Sequence, residues 1–114
     1  MIKVDVVPKM HVVVEQVAPD ANGSIRYQWS VTMLASDALG KRSLGYRGSG
    51  SINKDLTDLQ FKTGPEVHDE NLPRWTPMNP TDRPDIRKQI ARLARAAAEK
   101  LVKSGQPMFE HLIP

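Results

Sequence analysis

The residues able to do chemistry fall into four groups. The first is His68-Asp69-Glu70, a run that invites an acid–base or metal-binding role. The chain has only three histidines, His11, His68 and His111, and none stands at i,i+4 or His-x-His spacing from another. A metal site therefore has no local support, and a solvated charged loop is the default reading. No Gly-x-Ser-x-Gly elbow occurs, and the acids are too many and too unconstrained for a catalytic pair to be chosen among them. No catalytic residue, metal or cofactor is assigned, and a non-enzymatic role is expected.

The second group is Gly45 to Ile52. Gly45 and Gly50 have the spacing of a phosphate loop, but Ser51 stands at the lysine position and Ile52 at the Ser/Thr position. Gly48-Ser49-Gly50 lacks the third glycine of a dinucleotide fingerprint. What survives is a possible anion site: Arg47, Ser49 and Ser51 leading into a helix start at Asn53, with backbone amides aimed outward. The competing reading is an ordinary glycine-rich strand end.

The third group is Arg74-Trp75, flanked by Pro73 and Pro77. Arg and Trp are enriched in binding hot spots. Against that, Trp75 is expected to plug the open side of the core on a proline-stiffened loop. The fourth group is the basic C-terminal segment. Arg83 to Lys103 holds seven Lys/Arg against Asp85 and Glu99, a local +5 in a chain whose formal net charge is +3. Arg87, Lys88, Arg92, Arg95 and Lys103, joined by Lys41, Arg42 and Arg47, could track phosphates, or the helix face could steer an acidic protein surface. Internal pairing of Arg95 with Glu99 and of Glu99 with Lys103 is the bland alternative.

The element expected to organise the domain is Ser24–Ala35. Ile25, Tyr27, Trp29, Val31 and Met33 alternate with Arg26, Gln28, Ser30 and Thr32, the period of a strand buried on one face. Because its aromatics share the core face, base stacking on this strand is disfavoured. Further strands are expected at about 2–7, 10–17 and 43–52, the last weakened or bulged by its glycines. Asn22-Gly23 predicts a turn that folds 10–17 back onto 24–35. Asn53 is expected to cap a short helix over 54–61, stopped by Thr63-Gly64-Pro65. Residues 63–81 read as a loop. A helix over 82–103 follows, opened by capping oxygens at Thr81-Asp82 and by Pro84, and closed by Ser104-Gly105. Its stripe Ile86, Ile90, Leu93, Ala97 and Leu101 faces the core, with Ala91, Ala94 and Ala98 as a small-residue flank. Residues 104–114 form an apolar tail.

The fold class is therefore α+β in one domain spanning 1–114: an antiparallel meander of about four strands packed against a long C-terminal helix and a short middle one. With 39% hydrophobic and 25% charged residues the composition is globular, and no apolar run is long enough to span a membrane. No secretory h-region is visible at Met1–Asp5, and the absence of cysteine suits a reducing compartment. The expected location is cytoplasmic. The expected function is a small binding module (inhibitor, adaptor or regulator) acting through the basic helix face and the Arg-Trp loop. The alternatives are a nucleic-acid-binding protein and an anion or nucleotide pocket near Arg47–Asn53. The polar sheet face and the edge near Pro8 leave room for a homodimer.

Overall fold

A computed structural model describes residues 7–19, 21–36, 43–69, 74–79, 81 and 83–114. Its elements are β1 (Met10–Gln16), β2 (Arg26–Ser36), β3 (Ser43–Asn53), β4 (Gln60–His68), β5 (Thr76–Pro77), α1 (Pro84–Ser104) and β6 (Met108–Ile113). The strands form one antiparallel sheet of order β5-β4-β3-β2-β1-β6. The helix crosses one face and carries the chain from the β5 edge to the β6 edge. The α+β class and the place of the 24–35 strand between its two neighbours agree with expectation. Of the expected strand at 2–7, residues 2–6 lie outside the described residues and Val7 is not in a strand. No described helix is long and apolar enough to cross a membrane.

Two expectations are corrected. Among the described residues the sheet has six strands rather than about four, and the short middle helix over 54–61 does not form. Asn53 does act as a cap, but of a turn: its Oδ1 accepts the backbone N–H groups of Thr57 at 2.9 Å and Asp58 at 3.1 Å. Leu56, read as an inward helical residue, takes φ 63° to close this turn, an uncommon conformation for a branched side chain. The segment then returns as β4. Its Gly64-Pro65, read as a helix stop, sits within a strand. The β3–β4 pairing slips between Arg47 and Ser49 and again between Ser49 and Gly50, each time giving β4 one extra residue. Such bulges accommodate a proline that cannot donate to the ladder. The Pro65 carbonyl instead accepts the Met78 N–H at 3.0 Å and anchors β5.

The core lies between the sheet and α1. Val12 and Val14 of β1, Tyr27, Trp29, Val31 and Met33 of β2, and Tyr46 and Ile52 of β3 face Ile86, Ile90, Ala94, Ala97, Ala98 and Leu101 of the helix. Gly48 and Gly50 stand on this inner face. The indole of Trp29 lies across Gly50, and Ile90 sits over Gly48, where an added Cβ would meet its Cγ2 at 3.4 Å. The small faces of strand and helix allow close approach at the centre. The Trp29 Nε1–H donates to the Ser51 carbonyl at 3.1 Å, so the buried indole keeps a partner.

The helix ends where the sequence places its stop. Gly105 adopts φ 68° and its N–H bonds the Leu101 carbonyl at 3.1 Å. Its start is corrected. Arg83 occupies the cap position without a side-chain cap, and Pro84 opens the first turn. The Thr81 hydroxyl donates to Asn79 Oδ1 at 2.9 Å rather than capping the helix. Arg83 grips Asp85 through Nε at 3.0 Å and Nη2 at 2.8 Å. That hydrogen bonding, reinforced by the guanidinium charge, holds the exposed Asp85 carboxyl below its usual range.

Two outcomes follow. Gly50→Ala places a methyl into the Gln60 carbonyl and against Trp29, and should cost about 2–4 kcal/mol in urea unfolding. Gly64→Ala, whose Cβ meets nothing within 4 Å, should stay within about 0.5 kcal/mol of the parent. The second concerns pH. A carboxyl whose value is lowered on folding contributes stability above its unfolded value, and loses it as pH falls through the folded value. An NMR titration of Asp85 should therefore show a midpoint below the ordinary aspartate value, moving back toward it in Arg83→Gln.

Candidate binding surfaces

The sheet separates two surfaces. On the inner side, α1 buries its apolar stripe and turns its basic residues outward. They divide by partner. Arg87 lays its guanidinium over the Phe61 ring at 4.0 Å from the centroid, and Phe61 meets Trp29 edge-on at 5.0 Å. Arg87 thus belongs to the core's rim. Lys100 lies over Phe109 at 5.5 Å, and Lys103 pairs with Glu99 at 2.9 Å. The Glu99–Lys103 pair read from spacing forms, and no Arg95–Glu99 pair accompanies it. Lys88, Arg92 and Arg95 remain exposed, with no ion pair or ring contact among the described residues. At i, i+4 and i+7 they make one stripe about 10 Å long on the solvent side of the helix.

On the outer side the sheet is polar. Arg47, Ser49 and Ser51 of β3 project here beside Gln28, Ser30 and Thr32 of β2, following the strand alternation. Two depressions that share Ser30 and Ser49 run along this face. One of 610 Å³ is bordered by Glu15, Gln28, Ser51 and Lys62, and one of 250 Å³ by Arg47, Thr63 and Glu66. The helix start on which the anion reading rested is absent. Residues 48–51 are strand residues of the ladder with β2. Arg47 Nε is engaged by Glu66 Oε1 at 2.9 Å, and Ser51 Oγ accepts from Arg26 Nη2 at 3.1 Å. The Arg26 guanidinium also reaches the Asp58 carboxylate at 3.2 Å. Charge on this face is mostly matched internally.

Trp75 sits at one end of the outer face. Its ring lies beside the buried His68 at 5.2 Å and beneath the Arg47 guanidinium at 4.5 Å. Gly45 leaves room for it: an added Cβ there would meet Trp75 Cη2 at 3.2 Å. The tryptophan therefore covers the β3–β4 end of the sheet, with Arg74 exposed beside it. This geometry separates residues that the sequence grouped into one binding surface. The basic helix stripe and the Arg-Trp dipeptide stand on opposite faces. His68 ends β4 rather than occupying a loop and Asp69 follows the strand, while Glu70, Lys41 and Arg42 lie outside the described residues. No group of three or more His, Cys, Asp or Glu able to hold a metal occurs among the described residues.

What sequence reasoning missed is the Arg47–Trp75–His68 cluster. Arg47 and His68 become neighbours only through the β3–β4 ladder, in a segment whose Gly64-Pro65 conceals the strand. Comparison of the chain with protein-family profiles, with curated proteins and with solved structures gave no match.

The division of the cations is open to measurement. Arg87→Ala, which uncovers Phe61, should lower unfolding stability by about 1 kcal/mol. Lys88→Ala, Arg92→Ala and Arg95→Ala should each change it by less than about 0.5 kcal/mol.

Proposed function

We propose that this protein is a small non-enzymatic binding module, of the adaptor, inhibitor or regulator kind, that docks on an acidic surface of a macromolecular partner through Lys88, Arg92 and Arg95. One observation carries the reading. Arg26, Arg47, Arg83 and Lys103 face a carboxylate and Arg87 and Lys100 face a ring, while this helical stripe keeps three cations unmatched on successive turns. Unmatched like charges on one helix face repel one another, a small standing cost that a binding partner of opposite sign removes. Two of the three are arginines, whose planar forks suit carboxylates. Trp75 and Arg74 lie across the sheet and are not part of this surface.

Nucleic acid is the second reading, and the same cations support it. Three phosphate contacts give a log–log salt slope of only about −3, so such binding would be weak and carry no base readout.

Fluorescence polarisation separates the two, using a labelled poly-glutamate peptide and a labelled DNA duplex in a salt series. The acidic peptide should bind at low salt, and Arg92→Glu/Arg95→Glu should weaken it at least tenfold while leaving the unfolding midpoint unchanged. Tenfold tighter binding of the duplex, lost in the same variant, would put the nucleic-acid reading first. Failure of both probes to bind the parent chain would sink the proposal.

A further inference from the structure

β6 is the edge of the sheet, and its hydrogen-bonding parity can be read from its neighbour. The Gln16 N–H donates to the Pro107 carbonyl at 2.9 Å, and the pairing then runs Val14 with Phe109, Val12 with His111 and Met10 with Ile113. Hydrogen-bonded pairs alternate along an antiparallel ladder. Phe109, His111 and Ile113 therefore spend their backbone groups on β1. Met108, Glu110 and Leu112 point theirs away from the sheet.

This edge is lightly protected, with Glu110 its one carboxylate. No proline or lysine interrupts Met108–Ile113. Of the five exposed large apolar side chains among the described residues, three lie on it: Met108 at 51%, Leu112 at 52% and Ile113 at 38% exposure. A fourth, Val102, is in the last turns of the adjoining helix. An apolar notch of 140 Å³ between α1 and β6, lined by Leu93, Ala97 and Phe109, joins the same edge. The opposite edge differs: β5 is two residues long and ends in Pro77.

We infer that β6 pairs antiparallel with β6 of a second copy of this chain, joining two sheets into one of twelve strands. An occupant must be extended, about six residues long, and apolar opposite Met108 and Leu112. β6 itself meets all three requirements. Only residues of like parity can pair, and matching all three outward residues of each strand fixes one register about a two-fold axis at Glu110. Met108 then opposes Leu112 of the second copy on the outer face, twice by symmetry. Phe109 opposes its His111 on the inner face. The three outward residues of each strand exchange six backbone hydrogen bonds. The two Glu110 carboxylates face each other, a like-charge pairing that weakens the joint. The surface is small, so the association is reversible and dependent on concentration.

Sedimentation velocity over a hundredfold concentration range, reaching hundreds of micromolar, tests this on the whole chain. The mass should rise from 12.7 kDa toward twice that value. Leu112→Pro removes an outward N–H and none used by β1, so it should remain monomeric with an unchanged circular dichroism spectrum. Glu110→Gln should tighten association several-fold. The chain has no cysteine, so Glu110→Cys should give a disulfide-linked dimer under mild oxidation, whereas Met108→Cys alone should not. A mass of 12.7 kDa at every concentration, undiminished dimerisation of Leu112→Pro, or no cross-link through Glu110→Cys would each overturn the inference. None of these results depends on the helical cations.

Discussion

The placement of Trp29 constrains most of the rest. A bulky indole on the middle of a long strand must lie flat against its neighbour or hold the helix away. Gly50 resolves the conflict by offering bare backbone beneath the ring. The indole N–H then reaches the Ser51 carbonyl, Phe61 packs edge-on from β4, and the Arg87 guanidinium covers Phe61 from the helix. One side chain thus ties together β2, β3, β4 and α1. The ladder slips beside Gly50, where β4 must swing aside to place Phe61 against the ring. The alanines of α1 complete the arrangement, since larger residues at Ala94 and Ala98 would lift the helix off the sheet.

How much of this was legible depends on which physical signal wrote each element. β1, β2 and α1 are written in periodicity, and their positions follow from it to within a residue or two. The helix stop is written in Gly105, because only a left-handed residue closes that turn easily. β4 and β6 are written in neither. β4 buries little and contains Gly64-Pro65, so its local signals favour a break, while pairing with β3 supplies the energy that overrides them. Leu56 and Leu59 have helical spacing, but the Asn53 side chain satisfies the backbone of a turn instead. β6 has only six residues and becomes a strand because β1 offers a free edge next to the end of the helix. These are tertiary decisions, which a local pattern does not contain.

The candidate surfaces show the same division. Lys88, Arg92 and Arg95 were readable as an exposed stripe because helical geometry fixes their direction once the apolar stripe is known. Their difference from Arg87 was not readable, since it depends on Phe61 arriving from a strand 26 residues earlier. Arg47, Ser49 and Ser51 were grouped through an expected helix start. They do share a face, but as strand residues whose charge is met by Glu66 and whose hydroxyl at Ser51 is met by Arg26. Trp75 was readable as a cover for open structure, and it covers the polar face rather than the core. Aromatic character argues for burial, but it does not say on which side of a sheet the burial occurs.

The two edges of the sheet close the argument about where partners can act. A two-layer domain this thin leaves four places for contact: the helix's outer side, the polar face and the two edges. The polar face matches most of its charges internally. The β5 edge is short and proline-terminated, and the Met78 N–H that follows it is spent on the Pro65 carbonyl of β4. Unspent interaction capacity is therefore concentrated in two places that differ in kind. The helix offers charge without apolar area, which favours fast, salt-sensitive encounter. The β6 edge offers backbone hydrogen bonds and apolar side chains with one carboxylate, Glu110, among them, which favours a fixed register. Because α1 and β6 are consecutive in the chain, a sheet continued through β6 carries two copies of the helix on the same side. The two capacities are then geometrically linked: extending the sheet doubles the cationic stripe that one partner surface can meet, and two weak contacts held in one body bind more tightly than either alone.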